Sequence, residues 1–270
     1  MTEQDVEFEA LTQKIARERG FGCASYKEKC LRRRIAVRMR ARAVHSYADY
    51  ALLLDGDAVE YEKLLDALTI NVTRLFRNWE VYEAMRTQVV PSLWELDAPE
   101  LRVWSAGCSS GEEPYSLAVL LHRDAMERGL SSRLGRVRIL GTDIDKLSLA
   151  AAEKGEFEEG DFADTPEQLR RDYFAPAAPF RVADGPRKLV RFEQRDLLRE
   201  DAPPGPHNLV VCRNVLIYFD RPTQERLFAK FHEALPVGGF LVLGKVETLL
   251  GTIRTKFASV NARERIFRKL

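Results

Sequence analysis

The alternation of short apolar runs with helix-forming stretches after Pro99 constrains this chain most. The apolar runs, which we predict to be strands, cover residues 101–106, 137–143, 209–212 and 240–244. The predicted helices between and after them lie near residues 114–128, 146–154 and 222–235. This β-α-β-α order predicts a mostly parallel sheet with helices on both faces. Such a sheet binds ligands at the carboxyl ends of its strands, so the residues directly after each run are candidate site residues.

The first 97 residues follow a different pattern. Glycine is sparse, no proline precedes Pro91, and Leu, Ala, Glu and Arg dominate, which favours helices. We expect helices near residues 5–19, 26–42, 46–54, 58–69 and 79–94. Gly20 and Gly22 are typical of a helix end, and Asp55-Gly56 of a turn.

Residues 156–195 interrupt the alternation with a helix-like piece, a Pro/Ala run and a predicted hairpin around Asp184-Gly185. We interpret this segment as a small inserted subdomain. The predicted domains are therefore a helical domain over 1–80, a linker helix over 81–98 and an α/β domain over 99–270.

Composition narrows the function classes. With 270 residues and 45% apolar side chains the chain suits one large domain or two small ones, and its net charge of +1 favours neither nucleic acid nor membrane. The N-terminus is acidic and no apolar run approaches the roughly 20 residues that span a bilayer. The four cysteines form no C-x-x-C pair, which favours a reducing cytoplasm over a zinc ribbon or disulfide framework. We expect a soluble, cytoplasmic protein without membrane insertion.

The first predicted strand ends in a glycine-bracketed loop, Gly107 to Gly111, followed by Glu112-Glu113 and Pro114. This is neither G-x-G-x-x-G nor a P-loop. Two carboxylates at a helix N-terminus repel a phosphate, so a ligand with a cationic amino group fits better, and S-adenosylmethionine is such a ligand. The alternative is a glycine turn with acidic helix caps.

Polar residues also follow the next two predicted strands. Asp143 is placed to accept both hydroxyls of a ribose, although a helix N-cap is the alternative, for which Asp145 is better suited. Arg213 and Asn214 directly follow the third strand. Tyr218 lies a few residues further on, and its alternative role is that of a core aromatic with a backbone hydrogen bond.

Two features lie in the helical part. Asn71, Thr73 and Arg77 cluster where a helix should end, and ordinary capping is the alternative explanation. Residues 27–42 contain eight Lys/Arg and the single acid Glu28. A solvated helix face is the default for such a segment, but its charge excess favours an acidic partner, which leaves nucleic acid, an anionic membrane and an acidic protein helix open.

Four motifs, at 71–77, 102–116, 141–145 and 212–220, together resemble the CheR family, the chemotaxis protein glutamate methyltransferases. They occur in family order across almost the whole chain, and Gly-Glu-Glu-Pro-Tyr-Ser with Cys-Arg-Asn-Val-Leu-Ile-Tyr-Phe are the most specific pieces. The resemblance implies an all-α N-terminal domain and a Rossmann-like, S-adenosylmethionine-dependent methyltransferase domain with a small antiparallel β-subdomain. It implies methyl transfer to receptor glutamates.

The resemblance also implies site residues. By motif match, the cofactor-binding residues are Asn71, Thr73, Arg77, Gly107, Glu113, Asp143, Asp196, Leu197, Arg213 and Asn214. Glu113 would hold the amino group of the cofactor, Asp143 its ribose, and residues 196–197 would flank its adenine. Arg77 and Tyr218 would lie nearest the transferred methyl group, as catalytic residues. No metal ion is implied.

The basic segment resembles the receptor-docking surface of the family, which implies chemoreceptor cytoplasmic helices as partner. Its arginines are Arg32, Arg33, Arg34, Arg38, Arg40 and Arg42. Some members also dock through the β-subdomain onto a peptide at the receptor C-terminus, and their subdomain loop carries extra glycines. Residues 175–185 contain a single glycine, so we predict that no peptide tether is used.

The predicted chemistry needs no general base, because a glutamate with a reference pKa of about 4.3 is ionised at pH 7. Arg77 would orient a carboxylate. Two rival functions remain, an RNA or DNA methyltransferase and a non-catalytic, cofactor-sensing receptor adaptor. Against the first, the residues after Arg213 lack an Asn/Asp-Pro-Pro-Tyr/Phe element, and the chain has no Pro-Cys. A nicotinamide oxidoreductase is disfavoured by the missing phosphate loop.

Overall fold

The computed structural model describes residues 2–69 and 72–270, which group into two compact units. The first unit contains residues 2–69 with Tyr218–Thr223, and the second contains residues 72–217 with Gln224–Leu270. The predicted linker segment 81–98 therefore belongs to the second unit. Across the described residues, no helix combines the length and apolarity needed to cross a membrane.

The first unit is built from four helices. They are α1 (Glu3–Arg19), α2 (Glu28–Ala41), α3 (Tyr47–Gly56) and α4 (Ala58–Leu68). A capping box between Thr2 and Asp5 starts α1, and Gly20 in the left-handed conformation ends it. One buried cluster joins the four helices, with α1 against α3 and α2 against α4. Its members on α2 are the row Leu31, Ile35 and Met39, each less than 8% exposed.

A buried ion pair crosses this unit. Glu60 on α4 is fully buried, and its carboxylate accepts two hydrogen bonds from the Arg38 guanidinium on α2, at 2.6 and 3.0 Å. The Tyr50 hydroxyl on α3 donates a third, at 2.8 Å. Burying a carboxylate is tolerable only when it is paired and hydrogen-bonded, so Arg38 is part of the interior of the unit.

The second unit begins with two helices where the sequence predicts one. α5 (Trp79–Gln88) and α6 (Val90–Glu95) are separated at Val89, so the prediction of a single helix over 79–94 was wrong. The cause is Pro91, which lacks an N–H and clashes with the carbonyl of the preceding turn in a continuing helix.

A seven-stranded sheet forms the centre of this unit, in the order β5-β2-β1-β6-β7-β9-β8. The strands are β1 (Leu101–Ala106), β2 (Val137–Asp143), β5 (Val190–Gln194), β6 (Leu209–Cys212), β7 (Phe240–Leu243), β8 (Phe257–Asn261) and β9 (Ile266–Lys269). The helices that alternate with them are α7 (Glu112–Glu127), α8 (Lys146–Lys154) and α11 (Arg221–Ala234). The first five strands pair in parallel, which confirms the predicted Rossmann-like sheet.

The insert is smaller than predicted. It contains the antiparallel pair β3 (Glu156–Phe157) and β4 (Phe180–Arg181), with α9 (Glu167–Tyr173) between them. The predicted hairpin around Asp184-Gly185 was wrong, because residues 184–187 form α10 (Asp184–Arg187). Pro186 favours a helical turn there. A Cβ at Gly185 would lie 2.5 Å from the His122 imidazole, so this glycine allows close packing.

Two strands at the C-terminus were not predicted. β9 runs antiparallel to β7, and β8 pairs with β9 at the edge of the sheet with an irregular register after Ser259. β5 was also placed in the insert by the sequence reasoning, whereas it pairs in parallel with β2 over its full length. Strands of four or five residues, such as β5, β8 and β9, carry little periodic signal.

The Arg38–Glu60 pair predicts a large stability effect. Arg38→Ala should lower the free energy of unfolding by roughly 3–5 kcal/mol, because it removes both guanidinium hydrogen bonds of a buried carboxylate and leaves the more distant Arg42, 3.8 Å from Glu60 Oε2, as its cation. Urea unfolding followed by circular dichroism measures this change. The matched control is Arg40→Ala on the same helix, an exposed position where a change within about 0.5 kcal/mol is expected. Equal unfolding midpoints for the two variants would contradict the assignment.

Candidate active site

The strand order places the candidate residues at one edge of the sheet. The order reverses between β1 and β6, and ligands of such sheets bind outside the carboxyl ends of the strands at this switch point. The loop after β1 is held to the end of β2, because Gly107 and Cys108 both donate their N–H groups to the Thr142 carbonyl, at 2.8 and 3.0 Å.

Both glycines of this loop are required by their surroundings. Gly107 has a φ of +77°, and a Cβ there would lie 2.6 Å from Val215 Cγ2. Gly111 has a φ of +94°, and its Cβ would lie 2.8 Å from the Ala152 methyl group. The loop therefore approaches its neighbours as closely as only glycine permits.

Asp143 lies at the end of β2 with both carboxylate oxygens engaged. Oδ2 accepts the Ser109 N–H at 2.7 Å, and Oδ1 accepts the Asp145 N–H at 3.0 Å. Burial raises the pKa of Asp143, and these backbone donors oppose the rise. Each oxygen keeps a free lone pair for a ribose hydroxyl. Asp145 is the N-cap of α8, as predicted, since it accepts the Leu147 N–H.

Glu113, on the first turn of α7, is turned toward the interior. The Ser105 hydroxyl donates to its Oε1 at 2.7 Å, and Arg213 Nη1 lies 3.8 Å from its Oε2. Burial raises its pKa to about 6, although Arg213 and Ser105 oppose the rise. A cation arriving beside this carboxylate would restore its ordinary acidity, which is the behaviour expected of a partner for an amino group.

The neighbouring Glu112 has a different environment. It accepts a hydrogen bond from the Ser110 hydroxyl at 2.8 Å. Burial raises its pKa to about 7, and the Thr73 side chain is among the groups that oppose this. The two adjacent acids therefore differ in role: Glu113 faces Arg213, and Glu112 faces the segment that carries Thr73.

Arg213 is a buried residue that connects two segments of the second unit. It is 6% exposed, and its Nη2 donates to the Arg77 carbonyl at 2.8 Å and to Asn78 Oδ1 at 3.2 Å. Its guanidinium carbon lies 5.5 Å from the centre of the Tyr82 ring. Through these contacts Arg213 joins the end of β6 to the turn at 77–78.

The segment 72–78 is held in an unusual conformation. Phe76 and Asn78 have φ values of +51° and +59°, which non-glycine residues rarely adopt. Their N–H groups are fixed by the Ser116 hydroxyl, at 2.8 Å, and by Asp164 Oδ2, at 2.9 Å. Arg77 Nη1 donates to the Val72 carbonyl at 2.8 Å, so its guanidinium lies over its own loop.

Four predicted site residues remain, namely Asn71, Tyr218, Asp196 and Leu197. Asn71 falls outside the described residues. Tyr218 belongs to the first unit, where its carbonyl accepts the Lys27 N–H at 2.8 Å and Arg34 lies 5.6 Å from its ring. Asp196 accepts the Leu198 N–H at 2.8 Å and so closes the turn after β5. The Leu197 carbonyl accepts the Lys230 ammonium at 2.6 Å.

Several residues that shape the site were missed by sequence reasoning. Ser105 and Ser109 contact Glu113 and Asp143, and both lie inside the 102–116 motif, which is a local sequence signal for them. Asp164 has no such signal, because its partner Asn78 is 86 residues away in the sequence. Such a pairing leaves no local pattern.

Two buried polar atoms point to a ligand. Ser109 Oγ and Asn214 Oδ1 have no hydrogen-bond partner among the described residues, although both are buried. They lie in the loops that follow β1 and β6, and Ser109 also donates its N–H to Asp143. Buried carboxylates and unpaired polar atoms at these strand ends, without a glycine-rich phosphate-binding motif in the sequence, fit S-adenosylmethionine. The fold and the site thus define an S-adenosylmethionine-dependent methyltransferase.

Comparison with known families assigns the chain to one family of methyltransferases. Residues 71–266 match the SAM-binding domain of CheR methyltransferases, and residues 6–69 match their all-alpha domain. The chain belongs to the CheR methyltransferase family. The chemotaxis protein methyltransferase of Listeria monocytogenes is 36% identical over 251 residues, covering 93% of each chain. That of Klebsiella aerogenes is 34% identical, covering 90% of this chain and 83% of the relative.

Two solved methyltransferase structures are similar to part of this chain. One is an S-adenosylmethionine dependent methyltransferase from Mesorhizobium loti, at 20% identity and a TM-score of 0.29, covering 58% of this chain and 54% of that one. The other is magnesium protoporphyrin IX methyltransferase from Synechocystis PCC 6803 with bound SAH, at 18% identity and a TM-score of 0.34, covering 60% and 55%. This chain spans a little over half the length of each.

The raised pKa of Glu113 predicts opposite pH effects on affinity and stability. Below about pH 6 the carboxylate is protonated and loses its attraction for an ammonium group, so the cofactor Kd should rise about tenfold per pH unit. Without cofactor, the same group favours the folded state below its unfolded pKa, and this stabilisation is lost as pH rises through 6. Calorimetric titration with S-adenosylhomocysteine between pH 5 and 8 measures the first effect.

Two variants test whether Glu113 causes the pH dependence of cofactor binding. Glu113→Gln should bind weakly at every pH with a flatter profile, whereas Glu112→Gln should keep the slope below pH 6. An unchanged slope in Glu113→Gln would show that another group carries the titration.

Proposed function

We propose that this protein transfers the methyl group of S-adenosylmethionine to glutamate side chains of chemoreceptors and forms glutamate methyl esters. The observation that carries the proposal is the match of both units to the two domains of one family, together with buried acceptors for the cofactor at the strand ends. The relatives from Listeria monocytogenes and Klebsiella aerogenes, at 36% and 34% identity over most of the chain, are chemotaxis protein methyltransferases, which supports chemoreceptors as the substrate class. We place the reaction in the cytoplasm, where the four free cysteines stay reduced.

The proposed reaction is an in-line displacement. The bound cofactor supplies a methyl carbon on a sulfonium, and the substrate carboxylate attacks it while a neutral thioether leaves. The carboxylate is already ionised, so no base is required. Burial raises the pKa of Cys108 and Cys212 well above that of an ordinary thiol, so both remain protonated and neither acts as a nucleophile. Catalysis then rests on orientation.

Arg77 is the proposed orienting residue. Its guanidinium donates to the Val72 backbone carbonyl and lies within electrostatic reach of Glu113. These contacts support a position on the amino-group side of the proposed cofactor site, where a guanidinium can fix a carboxylate bidentately. We keep Tyr218 as the second proposed catalytic residue, on the strength of the motif that carries it.

The proposed docking surface is narrower than the full set of arginines. Arg32 pairs with Glu28 and Asp5, Arg42 pairs with Asp57, and Arg38 pairs with the buried Glu60. Arg34 donates to the Ala67 carbonyl at 2.5 Å. These four arginines hold the unit together, which leaves fewer cations for a partner.

The cations that remain share one face of α2. The side chains of Lys29, Arg33 and Arg40 are exposed and have no hydrogen-bond or ion-pair partner in the described part of the chain. Their spacing, with the half-exposed Val37 between them, follows one stripe of a helix. We name these four residues the basic stripe. A positive stripe with one apolar side chain fits an acidic, amphipathic receptor helix.

The size of the insert supports tether-independent docking. β3 and β4 have two residues each, and one further antiparallel bridge joins Phe174 to Val182. A peptide that adds a strand to a sheet needs an edge along which several backbone hydrogen bonds can form. This limited pairing offers a short edge, so we propose that receptor helices alone provide the binding surface.

The test of the proposed function is a labelled transfer assay. The purified protein is incubated with methyl-labelled S-adenosylmethionine and the cytoplasmic fragment of a chemoreceptor that ends before any C-terminal peptide. We expect label on the receptor that mild alkali releases as methanol, because esters are base-labile. Cofactor binding without transfer would contradict the proposal and favour an adaptor. Label on RNA in a parallel reaction that contains total RNA in place of the receptor fragment would favour the nucleic-acid alternative.

Arg77→Ala is the informative variant in that assay. An orienting role requires a lower single-turnover rate at saturating cofactor. A variant that loses only cofactor affinity and keeps the single-turnover rate would remove Arg77 from the catalytic residues.

The basic stripe predicts a salt-dependent substrate KM. Arg33→Glu with Arg40→Glu should raise the KM for the receptor fragment about tenfold or more at low salt, because two attractions become repulsions. The effect should shrink near 0.15 M salt, where charges are screened beyond about 8 Å. The cofactor Kd should not change. Lys63→Glu, at an exposed position of α4, is the matched control, and an equal KM in both variants would dismiss the stripe.

A further inference from the structure

Glu247, just beyond β7, is a buried carboxylate to which the reaction assigns no role. It is 4% exposed. Its Oε2 accepts the Gly244 N–H at 2.6 Å and the Asn214 N–H at 3.1 Å, and its Oε1 accepts the Ile217 N–H at 3.3 Å. One side chain therefore holds the loops that follow β6 and β7, at the same edge of the sheet as Glu113 and Asp143.

The backbone around the Glu247 carboxylate is closely packed and contains a residue with a positive φ. Asn214 has a φ of +62°, a strained conformation for a residue with a side chain. A Cβ at Gly244 would lie 2.7 Å from Glu247 Oε2 and 2.9 Å from the Asn214 nitrogen. Glycine at 244 thus makes room for the carboxylate, and the carboxylate in turn fixes the backbone of Asn214.

An ionised carboxylate suits this position better than an amide. The groups that hydrogen-bond to it, on Gly244, Asn214 and Ile217, are backbone N–H donors, and an ionised carboxylate only accepts hydrogen bonds. Burial raises the pKa of Glu247, while donors from Gly244, Asn214 and Ile217 oppose the rise. A glutamine would direct its own N–H group at one of these donors, so the loop could keep at most part of its hydrogen bonds.

We propose that Glu247 is a positioning residue for the cofactor: it sets the Asn214 side chain, whose buried Oδ1 has no partner within the described residues, to accept a hydrogen bond from the cofactor. The inference rests on the cofactor-binding role proposed for Asn214 and not on the identity of the methyl acceptor. Glu247 itself would not touch the cofactor.

A purely architectural role is the competing explanation, and the chain contains a matched control. Asp124 is also a buried carboxylate, 1% exposed, in the same unit. It accepts the Trp94 indole N–H at 2.7 Å and the Arg128 guanidinium at 2.8 Å, on α7 and away from the strand ends. Asp124→Asn therefore measures what the loss of a buried carboxylate costs when no cofactor residue depends on it.

The experiment is calorimetric titration of the full-length protein with S-adenosylhomocysteine, with thermal unfolding in parallel. Glu247→Gln should raise the Kd about tenfold, the size expected when a hydrogen bond to a charged group is lost. Gly244→Ala should raise it similarly by displacing the carboxylate. Asp124→Asn should lower Tm and leave Kd unchanged. The fitted number of sites separates misfolded protein from weak binding.

The outcomes are separable from those of the transfer assay. A Glu247→Gln variant that loses Tm like Asp124→Asn and keeps the wild-type Kd overturns the positioning role, whatever the substrate is. Normal cofactor binding by the wild type with no receptor methylation would instead remove the proposed substrate and leave the Glu247 inference standing.

Discussion

The structure depends on the burial of charge at the carboxyl ends of the parallel strands. The carboxylates of Glu113, Asp143 and Glu247 are all buried. Each accepts hydrogen bonds from donors in a neighbouring strand end or loop. Because an unpaired buried carboxylate costs several kcal/mol, these donors cannot move independently of the acids they serve. The result is a set of acceptors already oriented before any ligand arrives.

Arg213 connects these buried carboxylates to the turn at residues 77–78. Its buried guanidinium lies near Glu113 and also holds the turn at 77–78, which carries two residues with positive φ. A strained turn persists only where its surroundings determine it completely. The same cation therefore balances the site electrostatically and fixes the backbone of the segment that bears Arg77.

The charge of α2 is partly paired within the first unit. Arg38 pairs with the buried Glu60, and Arg32 pairs with Glu28 and Asp5. The side chains of Lys29, Arg33 and Arg40 are exposed and have no such partner in the described part of the chain. The sequence alone could not separate these two groups, because it does not show which arginine faces solvent and which reaches a buried acid.

The sequence by itself determined the all-α first part, the parallel strands β1, β2, β6 and β7, and the loop residues that follow them. Apolar periodicity, glycine spacing and capping residues are local features, so they can be recognised in the sequence alone. Only the tertiary structure decided that β5 pairs with β2 in the main sheet and that β9 and β8 extend this sheet beyond β7. It also decided the partners of Arg213, Asp164 and Glu247, because these contacts join residues far apart in the chain and exist only once the sheet has brought the strand ends together.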